Sequence, residues 1–283
     1  MATAIESKAP RRTSGTAIAI YAVLLVGAFF MIMPFVFMLS TSLKPSTQVF
    51  LYPPRWIPEP FMWSNYPAAL ERLTIRAFFN SIFFTVAVVL GQGLVTTMGG
   101  FAFARLQFPG KHLLFLAYLG TMMIPFQVTM IPTFVVVARL GWQDTYQGMI
   151  LPILAGGAFG TFLFRQFFIS IPEELGDAAT VDGANPLQIY MYIYLPLSKP
   201  AMTAYGVITS LAAWNMYLWP LIVVQSKELR PLTLVIAQLS GQMNAELHLL
   251  MAAVTLCLIP IFLLYAFGQR FFVEGIAMTG LKG

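Results

Sequence analysis

Uncharged apolar runs alternate along the whole chain with shorter polar, Pro-rich or charged connections. The runs lie at Thr16–Leu39, Ala77–Ala104, Leu113–Ala138, Met149–Phe164, Ala201–Val224 and Leu249–Gly268. A helix needs roughly 20 apolar residues to cross a hydrocarbon core about 30 Å thick, and these runs meet or approach that length. The fourth is short, and its ends are expected to extend into Tyr146–Gly148 and Arg165–Phe168. The pattern predicts an all-α membrane protein with six transmembrane helices and both termini on one side. Residues 1–15 read as an N-terminal tail and 16–283 as a single transmembrane domain, ending in a tail from about 270.

The connections differ in character. Lys44–Arg76 is long and rich in Pro and Trp, Gln225–His248 is a second segment on that side, and Phe168–Pro200 is a long loop on the other. No low-complexity tract and no repeat of solenoid period interrupts them. Lys8, Arg11 and Arg12 precede the first run as they would in a secretory signal. That run is too long for one and no small-residue cleavage site follows, so it is expected to remain as the first span.

Composition agrees with the pattern. The chain is 58% hydrophobic and 10% charged, whereas soluble domains are roughly 45–50% apolar and about 25% charged. A net charge of +5 raises the question of nucleic acid, but Lys and Arg are scattered between spans and build no basic face. Charge does orient the chain. With the N-terminus inside, Lys8, Arg11, Arg12, Arg105, Lys111, Arg165, Lys199, Arg270 and Lys282 are cytoplasmic. Lys44, Arg55, Arg72, Arg76, Arg139, Lys227 and Arg230 are then outside. The bias is small, and the basic cluster before the first span points the same way.

The spans themselves contain no Asp, Glu, Lys or Arg. A stand-alone secondary carrier, the rival from another class, would ordinarily need such a group for proton or ion coupling. Gly110-Lys111 is followed by His112 instead of Ser or Thr, so there is no nucleotide loop. The two histidines are far apart, no nucleophile elbow occurs, and the lone Cys257 sits in an apolar run as a small buried side chain. The chain is therefore expected to be non-catalytic, with no metal and no cofactor of its own. Energy for uphill transport would come from a partner.

The informative stretch is Ser170–Pro196, S-I-P-E-E-L-G-D-A-A-T-V-D-G-A-N-P-L-Q-I-Y-M-Y-I-Y-L-P. Ser170 with Glu173 has capping-box spacing, and Pro172 suits a first turn, so a short helix is expected there, carrying Asp177, Ala178 and Ala179 to a stop at Gly183. Asn185-Pro186 reads as the cap and first position of a second short helix, closed before Pro196. Small residues at 178, 179, 183 and 184 would let a partner surface approach closely. An ordinary connector on the membrane surface fits these residues equally well.

D-A-A-T-V-D-G-A followed by L-P resembles the Glu-Ala-Ala loop of binding-protein-dependent ABC importer permeases, with Asp177 where the family usually has Glu. The similarity extends over most of the chain and lies nearest the maltose-permease-like second permease of carbohydrate importers. Asn80-Ser81, Phe101–Pro109, Thr121–Pro132, Trp214-Asn215 with Trp219-Pro220-Leu221, and Gln269–Gly283 carry it.

The resemblance implies a type I ABC importer permease fold in a prokaryotic plasma (inner) membrane, with both termini cytoplasmic. It implies a cytoplasmic coupling helix, at Glu174, Asp177, Ala178, Ala179, Asp182, Gly183 and Pro196, seated in a groove of an ATPase subunit. The tail at Glu274–Gly283 would make a second contact there. It also implies a second homologous permease, two ATPase copies that bind the ATP and Mg, and an extracytoplasmic solute-binding protein that meets the Pro- and Trp-rich loop. The expected cargo is a carbohydrate, with sn-glycerol-3-phosphate as the alternative. A polar amide among aromatics makes Asn215, Trp214, Tyr217, Trp219 and Gln127 candidates for the solute path. Gln127 and Gln92 are the weaker ones, better explained by interhelical packing, which accounts for Asn215 equally well. Gly156 and Gly160 are expected to pack closely against a neighbouring helix.

Overall fold

The computed structural model describes residues 14–242 and 246–280, and its described residues fold into α-helices and short helical turns. The α-helices are α1 (Ser14–Ser42), α2 (Asn65–Leu73), α3 (Ile75–Arg105), α4 (Lys111–Gly120), α5 (Phe126–Arg139), α6 (Tyr146–Leu154) and α7 (Ala158–Ser170). They continue as α8 (Glu174–Val181), α9 (Pro186–Ile189), α10 (Leu195–Leu197), α11 (Lys199–Trp214), α12 (Leu218–Val223), α13 (Leu232–Gln242) and α14 (Leu247–Gly280). Two compact units contain them, one within 1–69 and 245–255, the other within 70–244 and 256–283.

Ala17–Ser42, Ile75–Arg105 and Leu247–Ala266 are each long and apolar enough to cross a bilayer. The third and fourth expected spans are instead bent pairs. Lys111–Met123 and Phe126–Arg139 meet at 102°, because Ile124 precedes Pro125 and is forced into extended backbone. Tyr146–Leu154 and Ala158–Ile169 meet at 45° across Gly156 and Gly157. The fifth expected span is also split, into 16 residues of α11 and 6 of α12, separated by Asn215–Tyr217. Among the described residues, length and composition thus support three spans, or five if each bent pair is one, where the sequence pattern predicted six transmembrane helices. The last helix departs in the other direction. Its backbone runs on to Gly280, where a tail was expected from about 270. Lys282 and Gly283 fall outside the described residues, as do Lys8, Arg11 and Arg12.

In the smaller unit the amide of Asn65 donates to the carbonyls of Ser42 and Lys44, both at 2.9 Å, which ties the Pro- and Trp-rich loop back to the end of α1. Trp56 packs edge-on against Phe37 in the same unit.

The larger unit is organised around α3. Between helices in lipid, packing depends on close van der Waals approach, so small residues mark the seams. A Cβ added to Gly100 would lie 2.6 Å from Cβ of Phe164, and one added to Gly99 would lie 3.2 Å from Thr161, which fixes α7 directly on α3. Gly157 also lies against α3, at Thr96, whereas Gly160 receives the Tyr205 ring of α11. The small pair that packs is therefore Gly157 with Gly160. Gly156 only approaches the Ile153 carbonyl at the bend.

Candidate functional site

The elbow at 171–198 is built at one end of α3 and α7. The second helical signal was read correctly from sequence. The Asn185 side chain accepts from Gln188 N at 3.0 Å, the Gln188 side chain accepts from Asn185 N at 2.8 Å, and Pro186 opens α9. Gly183 has φ +85°, the left-handed conformation that stops α8. The first helical signal was not. Ser170 belongs to α7 and its hydroxyl donates back to Phe167 O at 2.7 Å, so the expected capping box is absent and α8 begins at Glu174. Nor does the second helix close before Pro196. It widens into a π-helical turn at Tyr190–Tyr194, and Pro196 lies inside α10.

Glu174, Asp177, Ala178, Asp182, Gly183 and Pro196 are all exposed, and Ala179 is half-buried. Val181 is 88% exposed, so the outer face of α8 offers apolar as well as acidic contact. Beneath it lies an aromatic block. Phe101 lies 5.2 Å from the Tyr194 ring and 5.4 Å from the Tyr190 ring, and Phe168 stands edge-on to Tyr194 at 5.7 Å. The hydroxyls of Tyr190 and Thr97 share a hydrogen bond of 2.8 Å. A Cβ on Gly176 would meet the Tyr194 hydroxyl at 3.2 Å, so α8 rests on that ring.

Arg105 joins these parts. Its guanidinium donates to Phe168 O at 2.7 Å, to Ile171 O, and to Glu173 Oε1 at 2.7 Å, and lies over the Tyr194 ring at 5.2 Å. Glu173 is 79% exposed, so its ion pair contributes at most about 1 kcal/mol. The bonds to the α7 carbonyls weigh more, because the Arg105 side chain is only 10% exposed and charge-assisted bonds contribute about 1.5–3 kcal/mol. One side chain at the end of α3 therefore caps α7, leads into α8 and stacks on the turn after α9.

The candidate path residues do not gather on one surface. Asn215 is not within a continuous helix; it caps α11 at the break, exposed, with its amide turned back to Leu211 O at 2.8 Å. Tyr217 is exposed beside it and Trp214 is half-buried. Trp219 is in the interior. It is fully buried, clusters with Val137 and Val223, and donates its indole N–H to Met149 O at 3.0 Å. Gln127 is exposed just past the bend, next to Phe126, whose ring meets Trp219 at 6.3 Å. Gln92 bonds Ile153 O at 2.7 Å and accepts from the Tyr205 hydroxyl at 3.2 Å, which makes it interhelical packing.

Residues 96–277 match the family described as binding-protein-dependent transport system inner membrane component. The chain belongs to this family. The sn-glycerol-3-phosphate transport system permease protein UgpE of Brucella suis is 33% identical over 267 residues, covering 91% of this chain and 94% of that protein. The arabinooligosaccharides transport system permease protein AraQ of Halalkalibacterium halodurans is 31% identical over 263 residues, covering 90% and 93%. A chain from the crystal structure of a bacterial ABC transporter involved in the import of the acidic polysaccharide alginate superposes with a TM-score of 0.81. That match has 26% identity and spans 93% of this chain and 100% of the other. This permease is thus the non-catalytic, multi-pass inner-membrane component of an ABC importer that works with an ATPase and a binding protein.

Two parts of this permease figured in the sequence only as segments of the resemblance, Asn80-Ser81 and Phe101–Pro109, with no structural role assigned. Arg105 appeared there as one cytoplasmic charge and as part of Phe101–Pro109, although a cation in the last turn of a helix is a recognisable C-terminal signal. At the opposite end of α3, buried Asn80 donates to Glu228 O at 2.8 Å and Arg230 O at 3.1 Å and accepts from the Tyr146 hydroxyl at 2.7 Å. Ser81 accepts from Leu232 N at 2.8 Å. Nearby, Asp144 (φ 55°) accepts from Gln225 N, Ser226 N and the Ser226 hydroxyl, each at 2.9 Å. Burial pushes its carboxyl up, but these bonds and the Arg230 charge outweigh that and hold it below the usual carboxylate range.

Proposed function

We propose that this permease crosses the membrane six times as a single permease domain, with both termini in the cytoplasm, and imports a carbohydrate. The sixth crossing is made by counting α11 and α12 as one broken span. The observation that carries the proposal is the elbow itself: an exposed acidic and small-residue helix mounted through Arg105 on a buried aromatic block. Glu174, Asp177, Ala178, Ala179, Asp182, Gly183 and Pro196 sit in a groove of the ATPase. A rigid helix in a groove turns closure of the ATPases into rotation of α3 and α7. Arg105, Lys111 and Arg165 lie at this end of α3, which supports a cytoplasmic elbow under the positive-inside tendency.

The working assembly holds a second homologous permease and two ATPase copies, and the Pro- and Trp-rich loop meets the binding protein. Trp56, Ile57 and Trp63 are exposed on that loop, which suits a docking surface. Asn215, Tyr217, Trp214 and Gln127, around the breaks, face the solute, with Trp219 bracing them from behind. Relatives named for arabinooligosaccharides and for alginate support a carbohydrate cargo. Those named for sn-glycerol-3-phosphate favour that solute as the second reading.

Proteoliposomes containing this permease, its partners and the binding protein decide between them. Stimulation of ATP hydrolysis by an oligosaccharide and not by sn-glycerol-3-phosphate is expected. The opposite pattern would establish the second reading, and transport by the purified single chain would overturn both.

A further inference from the structure

A cavity of about 550 Å³ opens beside the elbow end of α3, where the transport cycle described above assigns no role. Lys111, His112 and Arg165 line it together with Phe103, Phe108 and Phe115. Gly110, with φ +75°, turns the chain so that Lys111 and His112 open α4, with the Lys111 N–H donating back to Phe108 O at 3.3 Å.

The positive charge here is poorly matched. Lys111 donates to Leu106 O at 2.7 Å and Ala104 O at 3.4 Å, which leaves a third donor. Arg165 is held by Nε donating to Phe103 O at 3.2 Å and by the Phe115 ring 4.4 Å away. Among the described residues, neither terminal amino group of Arg165 has a protein acceptor. Arg165 and Arg105 both repel the charge on Lys111, and the one carboxylate that offsets them, Glu173, is bonded to Arg105. The next turn of α4 is apolar and uncovered: Leu113 is 73% exposed, Leu114 55% and Leu116 50%.

We propose that this cavity binds the phosphate headgroup of an anionic phospholipid, with the acyl chains lying along the exposed leucines of α4. Clustered cations at the end of a membrane span attract anionic headgroups, and guanidinium and ammonium groups are strong donors to phosphate oxygens. A free inorganic phosphate shares the headgroup chemistry but has no use for three phenylalanines and an adjoining leucine face.

The test is native mass spectrometry of the full permease purified with its partners in nonionic detergent, titrated with phosphatidylglycerol, phosphatidylcholine or inorganic phosphate. One retained phosphatidylglycerol per permease chain is expected, with phosphatidylcholine washed away. Lys111→Gln should weaken retention by about fivefold, the contribution of one cation near an anionic lipid. Lys111→Arg should preserve it. His112→Glu changes an exposed residue, so it puts a repelling charge at the rim without disturbing packing, and it should abolish the retained lipid even if Lys111→Gln folds poorly. Equal retention in native and His112→Glu protein would overturn the proposal. So would equal retention of the two lipids, or saturation by phosphate with no lipid bound. Solute uptake is not the readout, so a failure here is distinct from a failure of the importer reading.

Discussion

At the end of α3 away from the elbow, a neutral amide does the holding; at the elbow end, a charge does. Asn80 is fully buried and both its donor and its acceptor atoms are engaged, by two carbonyls and one hydroxyl from two other segments of chain. Arg105 grips two carbonyls and a carboxylate, but Glu173 is largely in water and can exchange its bond for hydration at little cost. A closed neutral network has one good geometry and a high penalty for any other, because each buried group left without a partner costs about 1–3 kcal/mol. A charged clamp with one wet partner can shift and re-form. The same helix is thus pinned where α6 and the 226–232 segment meet it and adjustable where the elbow is mounted, as a lever needs to be.

The strongest challenge to this contrast is Asn80→Leu. It would strand the Tyr146 hydroxyl and the carbonyls of Glu228 and Arg230, and we expect a loss of about 3 kcal/mol. The measurement is the thermal midpoint of the purified assembly. Solute moved per ATP should stay normal in the fraction that remains folded. An unchanged midpoint would show that this end is not pinned.

Arg105→Gln sharpens the other half. It removes the charge-assisted caps of α7 at a cost of about 2 kcal/mol, confined to one end. Hydrogen exchange should rise at 173–181 while remaining low around Asn80. Solute moved per ATP should fall, because the elbow no longer moves α3 and α7 with it. A uniform rise in exchange across the helix would mean that Arg105 contributes general stability and has no particular role at the joint.

The sequence made some of this contrast legible and hid the rest. Apolar runs located the membrane helices because burial in lipid needs only composition and length, and the loop at Asp177–Gly183 was visible because its small residues and glycine stop have fixed spacing. The bends at Pro125 and at Gly156-Gly157 carried local signals, yet continuous apolarity outweighed them in the reading. The break at Asn215–Tyr217 has no Pro or Gly at all, so nothing local marked it. Trp219 looked like a lining residue because aromatics serve cores and paths alike; its full burial and the bond to Met149 O separate the two. The partners of Asn80 and Arg105 lie up to 150 residues away in sequence, beyond any periodic pattern.

Gly183→Asp tests the elbow without touching either clamp. A Cβ there meets nothing within 4 Å, so the penalty comes from the left-handed backbone, about 1 kcal/mol, together with a new charge on the docking face. Uptake should be lost while ATP hydrolysis continues and thermal stability barely changes. Normal uptake at normal protein levels would remove the elbow from the coupling path.

The smallest effect is expected at Asp144, which ties the 225–226 segment next to the pinned end of α3. Its carboxyl is held below the ordinary value, about 3.9, so the folded state prefers the ionised form. The stabilisation is therefore complete above that value and is lost as pH falls through the lower, folded-state value. Asp144→Asn keeps an acceptor oxygen but drops the attraction to Arg230, and partial exposure limits the loss at neutral pH to a few tenths of a kcal/mol, roughly. The thermal midpoints of native and variant protein should differ slightly at neutral pH and converge as the medium is acidified below about pH 4. If the gap instead widened toward acid, the charge on Asp144 would be working against this end of the helix, and Asn80 would be pinning it unaided.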